Sequence, residues 1–76
     1  MPTLLFQEGF KFFFYANEHE PKHIHVTKGD GYAKIELKTL RAVRHGLKPK
    51  ELKRVLQITR EHRQEFERKW DEYFHG

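Results

Sequence analysis

Three of the six histidines stand close together in the segment 16–27, Ala-Asn-Glu-His-Glu-Pro-Lys-His-Ile-His-Val-Thr. His19 precedes His23 by four positions and His25 by six, and an acid stands on either side of His19. Imidazole titrates near neutral pH and also ligates transition metals, so this composition is typical of an acid–base site or a metal site. We predict that any functional site of this chain is built from this segment.

A metal site is one use of these side chains. His23 and His25, two apart on a predicted strand, project from the same face, and His19 in the preceding loop is placed to fold over them. Three imidazoles with Glu18 or Glu20 nearby would suit Zn, Ni or Cu. The spacing His-x3-His-x-His matches no established metal signature. The sequence therefore predicts no cofactor and leaves the three histidines as weak metal candidates.

A catalytic site is the second use, with His23 and His25 as general acid and base of a small ribonuclease or phosphoesterase. The sequence His-Val-Thr at 25–27 resembles one half of a two-histidine phosphoesterase site, in which imidazole transfers protons and the hydroxyl holds phosphate. Those enzymes carry two such motifs and this chain carries one, so a homodimer would have to supply the second. Lys34 or Arg63 would hold the anion.

Nucleic-acid binding is the third use, because the net charge of +4 is concentrated in one segment. Segment 38–54 carries seven Lys and Arg against one acid. Such local charge suits the phosphates of RNA or DNA, and Tyr32 and Lys34 on an open sheet face could contact unpaired bases. Four acids near the same face, Glu18, Glu20, Asp30 and Glu36, oppose this use. The basic patch is Arg41, Arg44, Lys48, Lys50, Lys53 and Arg54.

The elements that position these residues are predicted to be an antiparallel sheet of three to four strands. The segment 23–28 alternates, with Ile24 and Val26 on a buried face and the histidines on a solvent face. Gly-Asp-Gly at 29–31 then turns the chain into a hairpin, and a Gly9 turn makes a second one. The predicted strands are 3–6, 10–16, 23–28 and 32–37.

A long C-terminal helix, about 49–74, is predicted to pack on one face of the sheet, which makes the fold class α+β. Pro49 suits a first helical position, and the apolar residues that follow recur at spacings of three and four. At about 39 Å the helix would overhang the sheet or bend. Arg63 falls beside the apolar stripe, where its stem packs or its guanidinium reaches an anion. Segment 38–46 is predicted to be a short helical turn or an irregular connection.

Composition narrows the class of protein further. Seventy-six residues with eleven aromatic side chains predict one domain, 1–76, with an aromatic core. The absence of cysteine excludes disulfides, a thiol nucleophile and a zinc–thiolate site. No apolar run approaches the roughly 18 residues of a membrane span, so we expect a cytoplasmic protein without a membrane partner.

The motif Asn-Glu-His-x-Pro-x-His-x-His-Val at 17–26, with the glycine turn at 29–31 and Gly-Leu-Lys-Pro-Lys-Glu-Leu at 46–52, resembles a family of small bacterial proteins. The family is catalogued as a domain of unknown function, and the resemblance spans essentially the whole chain. Its members are often encoded beside a second small protein, which implies a toxin–antitoxin-like pair. The usual motif has Pro at the position of Lys22 and often Ser at that of Lys48, so here the helix start would rest on Pro49 alone.

Together these observations predict a toxin–antitoxin-like component that binds a small protein partner, with RNA or DNA and a second copy of the chain as further partners. A ribonuclease or phosphoesterase and a plain protein-interaction module are the open alternatives. The functional face would be formed by Asn17, Glu18, His19, His23 and His25, with Tyr32, Lys34 and Arg63 as further binding residues.

Overall fold

The computed structural model describes residues 2–75 and places a five-stranded antiparallel sheet before two helices. The strands cross the sheet in chain order, each hydrogen-bonded to the next. The α+β class and the order of sheet and helix are confirmed. Neither helix of the described residues is long and apolar enough to cross a membrane. The elements are β1 Thr3–Gln7, β2 Phe10–Phe13, β3 His23–Lys28, β4 Gly31–Glu36, β5 Arg41–His45, α1 Pro49–Glu61 and α2 Arg63–His75.

Both predicted hairpins are present. β1 and β2 are joined by a two-residue loop that ends at Gly9, with φ 83°, and β3 and β4 by a loop that begins at Gly29, with φ 57°. Positive φ in a two-residue loop matches the twist of the flanking strands, and glycine adopts it without a steric penalty. The second loop fixes the register that sets His25 opposite Lys34.

Side chains of the sheet alternate between an inner face, packed against the helices, and an outer face on the other side. Phe12 stacks on Phe66 of α2 with ring centres 5.7 Å apart, and Phe14 meets Trp70 edge-on at 5.3 Å. Burying each large apolar side chain contributes about 1.5–3 kcal/mol, so the inner face is the main source of stability. Its buried residues are Phe10, Phe12, Phe14, Ile24, Val26, Ala33, Ile35 and Leu37.

The fifth strand corrects one prediction. Segment 38–46 is neither a helical turn nor an irregular connection, because its central residues form β5 at the edge of the sheet beside β4. A register shift between the Lys34 and Ile35 pairs marks a bulge in this pairing. Ala42 packs on the core, whereas Val43 is 47% exposed. Because only the small Ala42 faces inward and a bulge lies beside it, the sequence of β5 lacks the regular apolar alternation from which strands are predicted.

The helix corrects a second prediction. The helix expected over 49–74 is divided into α1 and α2 by His62, whose φ of −108° and ψ of 12° leave helical geometry. The carbonyl of Ile58 accepts the backbone N–H of His62 at 3.1 Å and lies 3.0 Å from its ring Nδ1. A side chain that enters the backbone hydrogen-bond ladder is a recognised cause of helix irregularity. The interruption between α1 and α2 thus has a local cause.

The start of α1 is supported by more than proline. Pro49 occupies the predicted first-turn position, and Lys48 before it has no hydroxyl to cap the helix. The backbone N–H of Lys48 instead donates to Oε1 of Glu51 at 3.3 Å. The expectation that Pro49 acts alone is therefore wrong, because an acidic side chain in the first turn reaches back to the chain before it.

Candidate functional site

The 14–22 loop, which joins β2 to β3, folds over the start of β3 and brings Glu18 to two histidines. His23 and His25 lie on the outer face, because Ile24 between them is fully buried in the core on the inner face. We call the three residues the Glu18–His23–His25 cluster. Its histidines come from a rigid strand and its carboxylate from a loop, so loop position decides whether the cluster forms.

The Glu18 carboxylate contacts both histidines, one with each oxygen. Its Oε1 lies 2.9 Å from Nε2 of His23, and its Oε2 lies 2.8 Å from Nε2 of His25. The backbone N–H of Tyr15 donates to Oε2 at 3.1 Å. Burial acts to raise the pKa of Glu18, but the Tyr15 amide and the two histidines outweigh it, so this pKa is lowered. The carboxylate is therefore ionised at neutral pH.

His23 is buried, and both of its ring nitrogens face acceptors. Nδ1 lies 2.8 Å from the carbonyl oxygen of Pro21, and Nε2 lies 2.9 Å from the carboxylate of Glu18. A neutral imidazole carries one N–H. When Nδ1–H donates to the carbonyl, Nε2 presents its lone pair to the carboxylate, and the contact is favourable only with a proton or a cation between them.

His25 has a ring nitrogen without a hydrogen bond. Its Nε2 is 2.8 Å from Oε2 of Glu18, but the geometry is not that of a hydrogen bond, and this buried atom has no other partner within residues 2–75. The ring stacks on Phe13 at 5.6 Å and meets Tyr15 at 4.5 Å. Burial lowers the pKa of His25, although the nearby Glu18 charge opposes the change.

Two side chains of helix α2, Trp70 and Asp71, contact the 14–22 loop. Trp70 is 1% exposed, and its indole Nε1–H donates to Oε2 of Glu20 at 3.0 Å. Its ring also meets that of His23, with centres 5.0 Å apart. Two residues farther along the loop, Nζ of Lys22 lies 2.9 Å from Oδ1 of Asp71. The indole and the ion pair together tie the loop to the helix that covers the opposite face of the sheet.

A cavity of about 340 Å³ opens beside the cluster. It collects four of the predicted binding residues around His23, so the loop and β4 bring together positions that lie up to 17 apart in the sequence. Its lining comprises Asn17, Glu18, His19, Glu20, Pro21, His23, Lys34, Glu36 and Val43. Space next to a polar cluster gives a ligand or water a route to it.

The histidines are less accessible than the strand pattern predicts. They were expected on a solvent face, but His23 is 4% exposed and the side chain of His25 is 14% exposed. The 14–22 loop covers them, and strand alternation cannot report a cover that comes from a loop. Catalysis by these two residues stays a prediction.

The remaining predicted residues are dispersed. Tyr32 lies on the outer face opposite Thr27, toward the turn end of the hairpin. Arg63 is on α2, where its Nη2 donates to the backbone carbonyl of Lys38 at 2.9 Å and its Nε lies 3.8 Å from Glu67. The structure therefore gives the Arg63 guanidinium protein partners of its own, away from the cluster.

Sequence reasoning missed the contact between Trp70 and Glu20, which spans 50 positions. A signal was available, because the N–H of a buried tryptophan usually needs an acceptor. The sequence does not say which of the eleven acids supplies it. Val43 was also missed as a lining residue, since the bulge that turns it outward has no marker in the sequence.

The outer face carries aromatic side chains beside cations. Tyr32 is 37% exposed, and the guanidinium carbon of Arg44 lies 6.0 Å from its ring centre. On β2, Nζ of Lys11 lies 5.3 Å from the ring centre of Phe13. Lys34 stands opposite Arg44 in the pairing of β4 with β5. Aromatic rings beside cations form a surface on which flat ligands can stack.

The basic patch is divided between two elements. Arg41 and Arg44 lie on β5, paired with Glu36 and Lys34, whereas the other four cations occupy the start of α1. One of these four is already paired, because Nε of Arg54 donates to Glu8 at 2.8 Å. The structure thus adds two of the six patch residues to the outer face.

Comparisons with known proteins give a family and no closer relative. Neither the curated proteins nor the solved structures give a significant match. A family model described as "Domain of unknown function (DUF4160)" matches residues 9–71, a range that includes the cluster, the cavity lining and the whole outer face from β2 to β5. The chain therefore belongs to the DUF4160 family of uncharacterised domains.

Proposed function

We propose that this protein is the nucleic-acid-binding member of a toxin–antitoxin-like pair and that its outer face holds unpaired RNA or DNA. The observation that carries the proposal is the pairing of exposed Tyr32 with Arg44 on a sheet face opposite both helices. Single strands are held by aromatic rings on which bases stack and by cations that follow the phosphates. An open antiparallel sheet provides a flat platform for both.

The charges of the outer face support an anionic ligand. Lys34 and Arg44 lie on it in the neighbouring strands β4 and β5, and Lys11 lies on it on β2, with β3 between. Of the four acids expected to oppose phosphate, two are occupied elsewhere, since Glu18 faces the histidines and Glu20 accepts from Trp70. Glu36 stays on the outer face, where it lies opposite Arg41. Three cations in one region give a favourable and salt-dependent attraction to a phosphate chain.

Stacking on Tyr32 is tested with a fluorescently labelled oligouridine and the Tyr32→Ala variant. Loss of one stacked base costs about 1–3 kcal/mol, so the affinity should fall roughly 5- to 150-fold. The matched control is Tyr73→Ala on α2, because Tyr73 is 46% exposed and lies on the opposite side of the molecule from the proposed surface. An equal loss in both variants, or no binding by the unmodified chain, would refute the proposal.

The phosphate contacts are tested by the salt dependence of the same binding reaction. Each phosphate contact on a single strand contributes about −0.7 to the slope of log affinity against log salt concentration. Arg44→Gln should reduce that slope by about 0.7. Arg68→Gln, which removes an exposed α2 cation paired with Glu72, should leave it unchanged. Equal slopes in all three proteins would contradict a role for Arg44.

A protein partner completes the proposed pair, and one observation favours its place. Phe6 on the edge strand β1 is 69% exposed, and one side of β1 has no neighbouring strand among the described residues. An edge strand with an exposed aromatic side chain can accept a further strand from a partner. Phe6→Lys should abolish association with the second protein of the pair, while oligouridine binding at Tyr32 persists.

The same assays separate the two alternative functions. Cleavage of the RNA probe by the unmodified chain, lost in the double variant His23→Ala, His25→Ala, would favour a histidine-dependent ribonuclease. Partner association without any affinity for the probe would favour a plain protein-interaction module. The proposal expects an intact, bound probe.

A further inference from the structure

We infer that the Glu18–His23–His25 cluster is a binding site for one divalent transition-metal ion of the class of Zn²⁺. One carboxylate and two imidazoles are a ligand set that such ions take in proteins. The cluster lies on the same outer face as Tyr32, with His25 opposite Lys34, but its three ligands are not among the proposed nucleic-acid contacts, so either proposal can fail without the other. It also replaces His19 of the weak metal set with Glu18, the acid that the loop brings into contact.

The first argument is that lone pairs converge where a cation would lie. Nε2 of His23 and Nε2 of His25 both face the Glu18 carboxylate, at 2.9 and 2.8 Å. Nε2 of His25 is buried without a hydrogen bond, and the Pro21 carbonyl engages the other nitrogen of His23. Buried polar atoms without partners are costly. A cation between the three groups satisfies all of them at once.

The second argument is that the ligands are oriented by outer contacts. Metal-bound imidazoles usually donate their other N–H to a carbonyl or a carboxylate, which fixes the tautomer and aims the ligating nitrogen. His23 has this arrangement, with Nδ1 at 2.8 Å from the Pro21 carbonyl oxygen. The carboxylate of Glu18 is held in turn by the Tyr15 amide at 3.1 Å. The Pro21 contact leaves Nε2 of His23 for a ligand, and Oε2 of Glu18 keeps a second lone pair beside the one that accepts from Tyr15.

The third argument is geometric. One donor atom from each residue lies within 4.8 Å of the other two. Ligands of a single zinc ion lie about 2.0–2.2 Å from it and therefore about 3–3.5 Å from one another. The two histidine–carboxylate contacts would open by a few tenths of an ångström, and a pair at the full 4.8 Å would close by about 1.3–1.8 Å. These movements require rotation of the two histidine side chains on β3 and of the Glu18 side chain on the 14–22 loop.

Three protein ligands leave a coordination position free. The cavity of about 340 Å³ borders the cluster and is lined by His19 and Asn17. Zinc sites with three protein ligands and an open position hold a water molecule or a substrate there, whereas closed sites with four are structural. The arrangement is that of an open site, with room for an exogenous ligand.

Binding is tested with Zn²⁺ and the untagged full chain by isothermal titration calorimetry. The unmodified chain should bind one equivalent. Glu18→Gln and His25→Gln should each weaken binding by at least about 100-fold, because even outer contacts of metal ligands are worth about 10–100-fold. His45→Gln on β5 removes the same number of histidines outside the cluster and should bind as the unmodified chain does. Equal weakening in the His45 variant, or no saturable binding, would overturn the inference.

A second measurement needs no variant and so does not depend on how the variants fold. Nitrogen NMR spectra of the imidazoles should show Zn²⁺ shifting Nε2 of His23 and His25, while the rings of His45, His62 and His75 stay unchanged. Shifts confined to the other histidines would place the metal elsewhere on the chain and overturn the inference.

Discussion

Replacing Trp70 by Phe should loosen the 14–22 loop and lower the stability of the whole domain. The substitution removes the indole N–H that Glu20 accepts at 3.0 Å, from a side chain that is 1% exposed. A hydrogen bond to a charged group contributes about 1.5–3 kcal/mol, and because Glu20 is exposed to solvent we expect a contribution near the lower value. The smaller ring adds about 1 kcal/mol for lost packing. The free energy of unfolding should fall by about 2–3 kcal/mol.

A loss of this size is measurable and still leaves a folded protein. Stabilities of about 0.05–0.15 kcal/mol per residue predict roughly 4–11 kcal/mol for this chain, and the melting temperature should fall by about 10–20 °C. Urea denaturation followed by far-ultraviolet circular dichroism is the assay, since Trp70 is the only tryptophan and its fluorescence is lost in the variant.

A double-mutant cycle isolates the contact itself. In the background of Glu20→Ala, Trp70→Phe should cost about 0.5–1.5 kcal/mol less than it does in the unmodified chain. Asp30→Ala, in the turn between β3 and β4, serves as the control and should be additive with Trp70→Phe to within about 0.5 kcal/mol. Additivity with Glu20→Ala as well would refute the idea that the indole positions the loop.

Three further predictions concern the core, pH and metal. Phe66→Ala should destabilise the domain by about 3–5 kcal/mol in urea denaturation, because Phe66 is fully buried against Phe12; a cost below 1 kcal/mol would contradict this packing. The hydrogen bond from Arg54 lowers the pKa of Glu8 from 4.5 to about 2, so its stabilisation is present above pH 4.5 and lost as pH falls toward 2. In Glu8→Gln the free energy of unfolding should change less between pH 4.5 and 2 than in the unmodified chain. An unchanged pH dependence would show that the Arg54–Glu8 pair does not cause the loss. Zn²⁺ at a hundredfold excess over its dissociation constant should raise the melting temperature by roughly 10–20 °C in calorimetry, and EDTA should reverse the rise; no shift would argue against binding to the folded state.

The hairpins and the segment that carries the candidate site could be predicted because their signals are local. The glycines at 9 and 29 mark turns that only certain backbone angles allow, and strand alternation follows from the pleat. The density of histidines and acids within 16–27 is visible without any structure. These features depend on residues a few positions apart, the range over which a single sequence is informative.

What could not be predicted depends on tertiary contacts. The sequence offers His19 and Glu18 equally as neighbours of the two strand histidines, and the fold of the loop selects Glu18. The burial of His23 likewise comes from the loop and from Trp70, 47 positions away. The strand β5 went undetected because its pairing with β4 tolerates a bulge and an outward Val43.

The sheet surface is tested most directly by amide chemical-shift mapping of the full chain with oligouridine. If the outer face binds the probe, amide chemical shifts should change at Tyr32, Lys34 and Arg44 and along β2 and β3. These changes should saturate with the probe and weaken as salt is added. The amides of α1 and α2 should change little. Shifts confined to the helices, or none at stoichiometric probe, would contradict nucleic-acid binding by the outer face.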